Sequence, residues 1–127
     1  MVTRRESPPR RRARPWVPLR GDVIGMGGST PMRGDGADDL SAGRRMAVVI
    51  SPGSYNARTG LAIVCVITSQ VTGYPFEVVV PKDLVVQGVV LSDQIRTIDW
   101  RAGRAKRVCS VSAEVVDDVR QRLGTLV

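Results

Sequence analysis

The 127-residue chain contains no histidine. That absence excludes a Ser-His-Asp or Cys-His nucleophile system, a histidine acid/base pair and the usual histidine zinc ligands. Any chemistry must run on other side chains, and the residue types present predict neither a metal site nor a cofactor. Cysteine is nearly absent too. Cys65 and Cys109 stand far apart without C-x-x-C spacing, which indicates neither a metal cluster nor a disulfide scaffold and points to reduced, core-filling thiols. Long apolar runs are missing: the longest, Leu61 to Ile67, has seven residues, against the roughly 20 that a membrane-spanning helix needs. Paired arginines near the N-terminus have no apolar stretch behind them, so neither a secretory nor a twin-arginine signal is complete. The expectation is a cytoplasmic protein in a reducing compartment, with no membrane association.

What is present is enough for one ordinary domain, with 43% apolar residues to build its core. Charge is unevenly placed. Residues 1 to 20 hold seven arginines against Glu6, net +6, while the rest hold 12 Lys+Arg against 11 Asp+Glu, net +1. Residues 1–18 crowd arginine with proline and lack apolar periodicity, which predicts a disordered arm. Such an arm either gathers phosphates by counterion release or merely solubilises.

From residue 19 onward the chain reads as one mainly β domain (α+β). Short Val- and Ile-rich runs are punctuated by Gly, Pro, Asn and Asp. Strands are predicted over Asp22 to Met26, Met46 to Ile50, Leu61 to Thr68, Phe76 to Val80, Val89 to Leu91, Ile95 to Ile98 and Arg107 to Val111. Several are almost continuously apolar, as expected for strands buried on both sides of a strongly bent sheet, so a small barrel fits better than an open sheet. One helix is predicted at the end: Ser112 as N-cap, then Val115, Val116, Val119, Leu123 and Leu126 on one face.

A long glycine-rich loop, Gly27 to Arg44, separates the first two strands, and loops of that length are usually functional or mobile. It lacks the Gly-Lys-Ser/Thr of a P-loop, and Thr30 stands where G-x-G-x-x-G needs its last glycine. Two Arg-Gly-Asp triplets, at 20–22 and 33–35, look like adhesion motifs, a reading disfavoured in an intracellular chain. Polar residues at strand ends form three clusters: Arg44-Arg45, Thr68-Ser69-Gln70, and Asp93-Gln94 with Arg96.

Four stretches carry a resemblance. They are G-x-R-x-A-V-V-x-S-P from Gly43, the Y-N-x-x-T-G turn at Tyr55 to Gly60, T-S-Q-x-x-G-Y-P-F-E-V at Thr68 to Val78, and D-Q-I-R-T-I-D-W at Asp93 to Trp100. In this order, before a terminal helix, they resemble the MazF/PemK family of toxin endoribonucleases from Arg20 to the end. The resemblance implies an SH3-like β-barrel of the PemK/CcdB type with a C-terminal helix, and a homodimer. It implies sequence-specific, metal-independent cleavage of single-stranded RNA, with the ribose 2′-hydroxyl as nucleophile, leaving 2′,3′-cyclic phosphate and 5′-hydroxyl ends. It also implies a cognate antitoxin whose acidic, disordered C-terminal segment covers the site.

By the same resemblance Arg45 and Thr68 are the catalytic pair. An always charged, planar guanidinium binds two phosphoryl oxygens but is a poor base, and a threonine hydroxyl donates without adding charge. The alternatives are an arginine paired with a loop aspartate and a β-branched strand filler. Asp93 matches a proposed base, although Leu91 stands where its family partner arginine lies two positions earlier; it is either that base or a turn residue. Ser69, Gln70, Asn56, Gln94, Arg96 and Arg44 are candidate RNA contacts. Trp100 is a core or interface residue, or else a base stacker. Two non-cleaving readings share this fold: a gyrase-binding toxin like CcdB, and a degraded toxin acting as an antitoxin sink.

Overall fold

The computed structural model describes residues 16–26, 45–102 and 105–127. Most of the predicted arm, the long 27–44 loop and Arg44 therefore lie outside the described residues. Among these residues six strands, β1 (Asp22–Met26), β2 (Arg45–Val49), β3 (Leu61–Thr68), β4 (Glu77–Val79), β5 (Val89–Asp99) and β6 (Lys106–Ser110), join two helices, α1 (Gly53–Thr59) and α2 (Ala113–Gly124). The strands form one antiparallel sheet in the order β4-β5-β3-β2-β1-β6. The expected small barrel is thus realised as a curled sheet with β4 and β6 at its edges, a half-barrel carrying a C-terminal helix.

The unbroken apolar strands are explained by burial on both faces. Side chains alternate across a strand: Val23, Val48, Cys65 and Ile67 feed one core, which Val116 and Val119 of α2 complete. Ile24, Ala47, Val49, Ala62 and Val64 feed the other, with Ile98 and Trp100. Each fully buried Val or Ile contributes on the order of 1.5–3 kcal/mol. Cys65 sits inside the first core as a thiol, its pKa pushed up to about 12 by burial and then by the Asp93 charge. Cys109 is a half-buried thiol whose pKa burial also raises.

Three sequence expectations change. The two short strands around Asp93 are one 11-residue β5; between its pairs Val90↔Ile67 and Ile95↔Cys65, β3 supplies only Val66. Leu91 to Gln94 therefore bulge away from β3, and this polar bulge is what looked like a break. The Tyr55 to Gly60 turn is instead the helix α1, entered after Pro52 and closed by Gly60 in the left-handed region, φ 76°. Leu126 lies beyond α2 and is 54% exposed, so it leaves the apolar face assigned to it. Ser112 does cap α2, accepting from the Val115 amide.

Residues 16–18, assigned to the arm, belong to the folded body. Trp16 packs edge-on against Trp100 with ring centroids 5.9 Å apart, and the Pro18 carbonyl accepts from the Asn56 amide at 2.8 Å. Asn56 is completely buried, and its side chain also bonds the Ser51 hydroxyl and carbonyl. The candidate RNA contact at Asn56 is therefore corrected: its amide staples α1 to the N-terminal segment and is not offered to RNA. Trp100 is 6% exposed and donates from its indole nitrogen to the Asn56 and Leu61 carbonyls, which makes it a core residue. Asn56→Ala leaves Pro18 and Ser51 buried without their donor, so urea unfolding should show a loss of roughly 2–4 kcal/mol; no loss would remove the staple from the account.

The first Arg-Gly-Asp triplet is structural. Asp22 is 5% exposed, accepts from the Leu19 amide at 2.9 Å and pairs with Arg107 at 3.2 Å, locking β1 to β6. An aspartate so enclosed cannot be presented to a receptor.

Candidate active site

Sheet register brings the first two candidates together. Met46 pairs with Ile67, so one residue further Arg45 stands opposite Thr68 at the adjoining ends of β2 and β3. Directly opposed residues share a face. Arg45 is 9% exposed at the start of its strand, and Thr68 pairs on its other side with Val89 of β5.

Thr68 is oriented by its own backbone neighbourhood. Its Oγ1 accepts the Gln70 amide N–H at 3.1 Å, which leaves the hydroxyl proton to donate elsewhere. The strand end is held by Gly88, whose φ of 122° only glycine adopts readily. A Cβ at Gly88 would lie 2.2 Å from the Thr68 carbonyl oxygen, so the missing side chain is what lets the two segments touch.

A cleft of about 320 Å³ opens beside Thr68, lined by Gln70, Asp93 and Gln94 among the predicted residues. Tyr74, Glu77, Thr72 and Leu91 complete its lining. Asp93 does not cap backbone amides as the turn reading expected: it sits on the β5 bulge and accepts the Tyr74 phenol at 2.9 Å. That bond, then the charge of Asp93, raises the Tyr74 pKa and keeps its proton in place.

The segment carrying Tyr74 is braced. Glu77 accepts from the Thr72 hydroxyl at 2.8 Å and from the Thr72 and Gly73 amides, and these bonds, the hydroxyl first, lower its pKa. Arg122 of α2 bonds Asp118 at 2.7 Å and donates to the Pro75 carbonyl. The C-terminal helix thereby holds the cleft wall.

The other candidates are more dispersed. Ser69 is exposed beside the cleft without lining it, and Arg96 reaches it only through Gln94, donating to its Oε1 at 3.2 Å. Asn56 is elsewhere, and Arg44 lies outside the described residues. Tyr74 and Glu77 were not singled out from sequence; their one signal was the G-Y-P-F-E run, noticed only as part of the resemblance. Among the described residues no three His, Cys, Asp or Glu side chains converge in a metal-binding group, and no helix is long and apolar enough to cross a membrane.

Comparison with known proteins places the chain in a family. A family model described as a PemK-like, MazF-like toxin of type II toxin-antitoxin systems matches residues 20–127. The endoribonuclease toxin MazF of Escherichia coli K12 is 37% identical over 115 residues, spanning 88% of this chain and 96% of that protein. Among crystal structures, MazF of Deinococcus radiodurans is 41% identical with a TM-score of 0.75, over 88% of this chain and 97% of its own. A MazE-MazF structure from that organism gives 40% identity and a TM-score of 0.74, over 88% and 96%.

Proposed function

We propose that this chain, which belongs to the PemK-like, MazF-like toxin family of type II toxin-antitoxin systems, cuts single-stranded RNA at a short sequence motif without a metal ion. The observation that carries the reading is the register that sets Arg45 against Thr68 at the rim of a cleft. The nucleophile is the substrate's own 2′-hydroxyl. The protein holds it in line with the scissile phosphate and stabilises charge growing on the phosphoryl oxygens.

Arg45 supplies a fixed positive fork for two of those oxygens, and Thr68 donates its hydroxyl to one. As the 2′-oxygen attacks, the P–O5′ bond breaks, giving the 2′,3′-cyclic phosphate and a 5′-oxygen that takes a proton. Two acceptors are at hand for the 2′-hydroxyl proton: water and the Asp93 carboxylate.

The 37% identical endoribonuclease toxin MazF and the MazE-MazF structures support an RNA-cleaving toxin neutralised by a cognate antitoxin. An acidic, disordered antitoxin segment that folds over Arg45 and Thr68 meets the Arg45 charge there, on a homodimer acting in the cytoplasm.

Incubating purified protein with a long mixed-sequence RNA tests the reading. Discrete cuts at one motif, abolished by the antitoxin, are expected. Intact RNA together with capture of DNA gyrase would replace it with the binding-toxin reading.

A further inference from the structure

The cleft beside Thr68 is ill-suited to a phosphate. Two carboxylates, Glu77 and Asp93, line it, and no Lys or Arg is among the described residues that do; an entering anion meets like charge. Its walls suit a nucleobase instead. Tyr74 is 46% exposed, with its ring tilted against Phe76 at 5.8 Å and its phenol tied to Asp93, so it presents an aromatic surface in a fixed pose. The volume, about 320 Å³, lies at the small end of ligand pockets, which run roughly 300–1,000 Å³. A single base fits within it.

The open hydrogen-bonding groups say which base. Both Glu77 oxygens are used by its own loop, so Glu77 builds the wall and reads nothing. Asp93 uses Oδ2 for Tyr74, and its Oδ1 has no partner among the described residues. Gln94 accepts from Arg96 through Oε1, which leaves its Nε2 hydrogens to donate, and the Gln70 side-chain amide has no partner among the described residues. The cleft therefore offers a carboxylate with Oδ1 open and a lone pair to spare on Oδ2, beside an amide donor. Guanine alone among the RNA bases carries two adjacent donors, N1–H and the N2 amino group, next to an acceptor, O6. Adenine and cytosine have one amino donor beside ring acceptors, and uracil a single N–H between two carbonyls.

We propose that this cleft is a guanine subsite: Asp93 accepts from N1–H and the N2 amino group, an amide of Gln94 or Gln70 donates to O6, and the Tyr74 ring packs on the base. The assignment rests on the RNA-cleavage reading and deepens it. It places Asp93 on the base edge rather than on the 2′-hydroxyl, and makes it a specificity-determining residue.

The test uses the full chain and oligonucleotides carrying the mapped cleavage motif, with each guanine replaced in turn by inosine, which lacks only the N2 amino group, and by adenine. One guanine should be required, with kcat/KM falling about tenfold or more for inosine there, as expected for a lost hydrogen bond to a charged group. Asp93→Asn should shrink that guanine-to-inosine ratio toward one, with its loss falling mainly in KM. A motif without guanine, a ratio that Asp93→Asn does not move, or an Asp93→Asn protein with kcat abolished on every substrate alike would overturn the assignment, the last by restoring the proton-acceptor role. If wild type cuts nothing, the cleavage reading fails separately. Equilibrium binding of the guanine and inosine oligonucleotides by wild type and Asp93→Asn then decides the subsite by the same ratio.

Discussion

Arg45→Ala is expected to slow RNA cleavage by about 10²–10³-fold in kcat, the usual cost of removing one preorganised group that meets transition-state charge. Arg45 stands at the end of β2, opposite Thr68, and is only 9% exposed, so its side chain is largely enclosed and needs little reorganisation as charge develops. Arg45→Lys keeps the charge but loses the planar fork, and should recover only part of the rate. Both are read as kcat at saturating RNA on protein that melts cooperatively. A fully active Arg45→Ala protein would remove Arg45 from the chemistry.

The second large effect is expected from a residue that touches no substrate. Gly88→Ala must place a Cβ 2.2 Å from the Thr68 carbonyl oxygen and 2.9 Å from its carbon, at a φ of 122°. Neither neighbour is a flexible side-chain tip, so the backbone has to move. Backbone strain of about 1–3 kcal/mol and overpacking of similar size should together destabilise the fold by roughly 2–5 kcal/mol. The shift falls on the segment that orients the Thr68 hydroxyl, so kcat of the remaining folded fraction should drop as well. Urea denaturation and turnover measured on the same sample separate the two losses. Wild-type values for both would mean that the close approach of Gly88 to Thr68 does not position the site.

Much of the scaffold was legible because its strands are buried on two faces. β1 and β3 match their predicted bounds, since nothing but continuous apolar sequence fills a curled sheet from both sides. α1 was illegible because Gly53 to Thr59 carries no apolar period. It is held by Pro52, Gly60 and the buried amide of Asn56, which are tertiary and capping effects. β5 was split because Ser92, Asp93 and Gln94 are polar, and they are polar because the bulge faces a cleft or a backbone carbonyl.

The site was half legible. Arg45 and Thr68 were named through the resemblance, but their juxtaposition needed the β2–β3 register. Asn56 shows the limit of residue type: an asparagine that could read a base edge is chemically the same as one that staples a loop, and only burial separates them. Tyr74 is the converse, an exposed ring whose use depends on a partner 19 positions away. Trp16 was absorbed into the arm by its arginine- and proline-rich neighbours, and its packing on Trp100 ends the arm earlier.

The central claim is that Arg45 and Thr68 promote attack by the substrate's own 2′-hydroxyl. The direct measurement is to digest a mixed-sequence RNA with antitoxin-free protein in EDTA, beside Arg45→Ala, and to determine the chemistry and sequence of the new ends. The account predicts discrete cuts bearing 2′,3′-cyclic phosphate and 5′-hydroxyl ends, present for wild type and largely lost in the variant. Ends bearing 5′-phosphate, or equal cutting by Arg45→Ala, would contradict it.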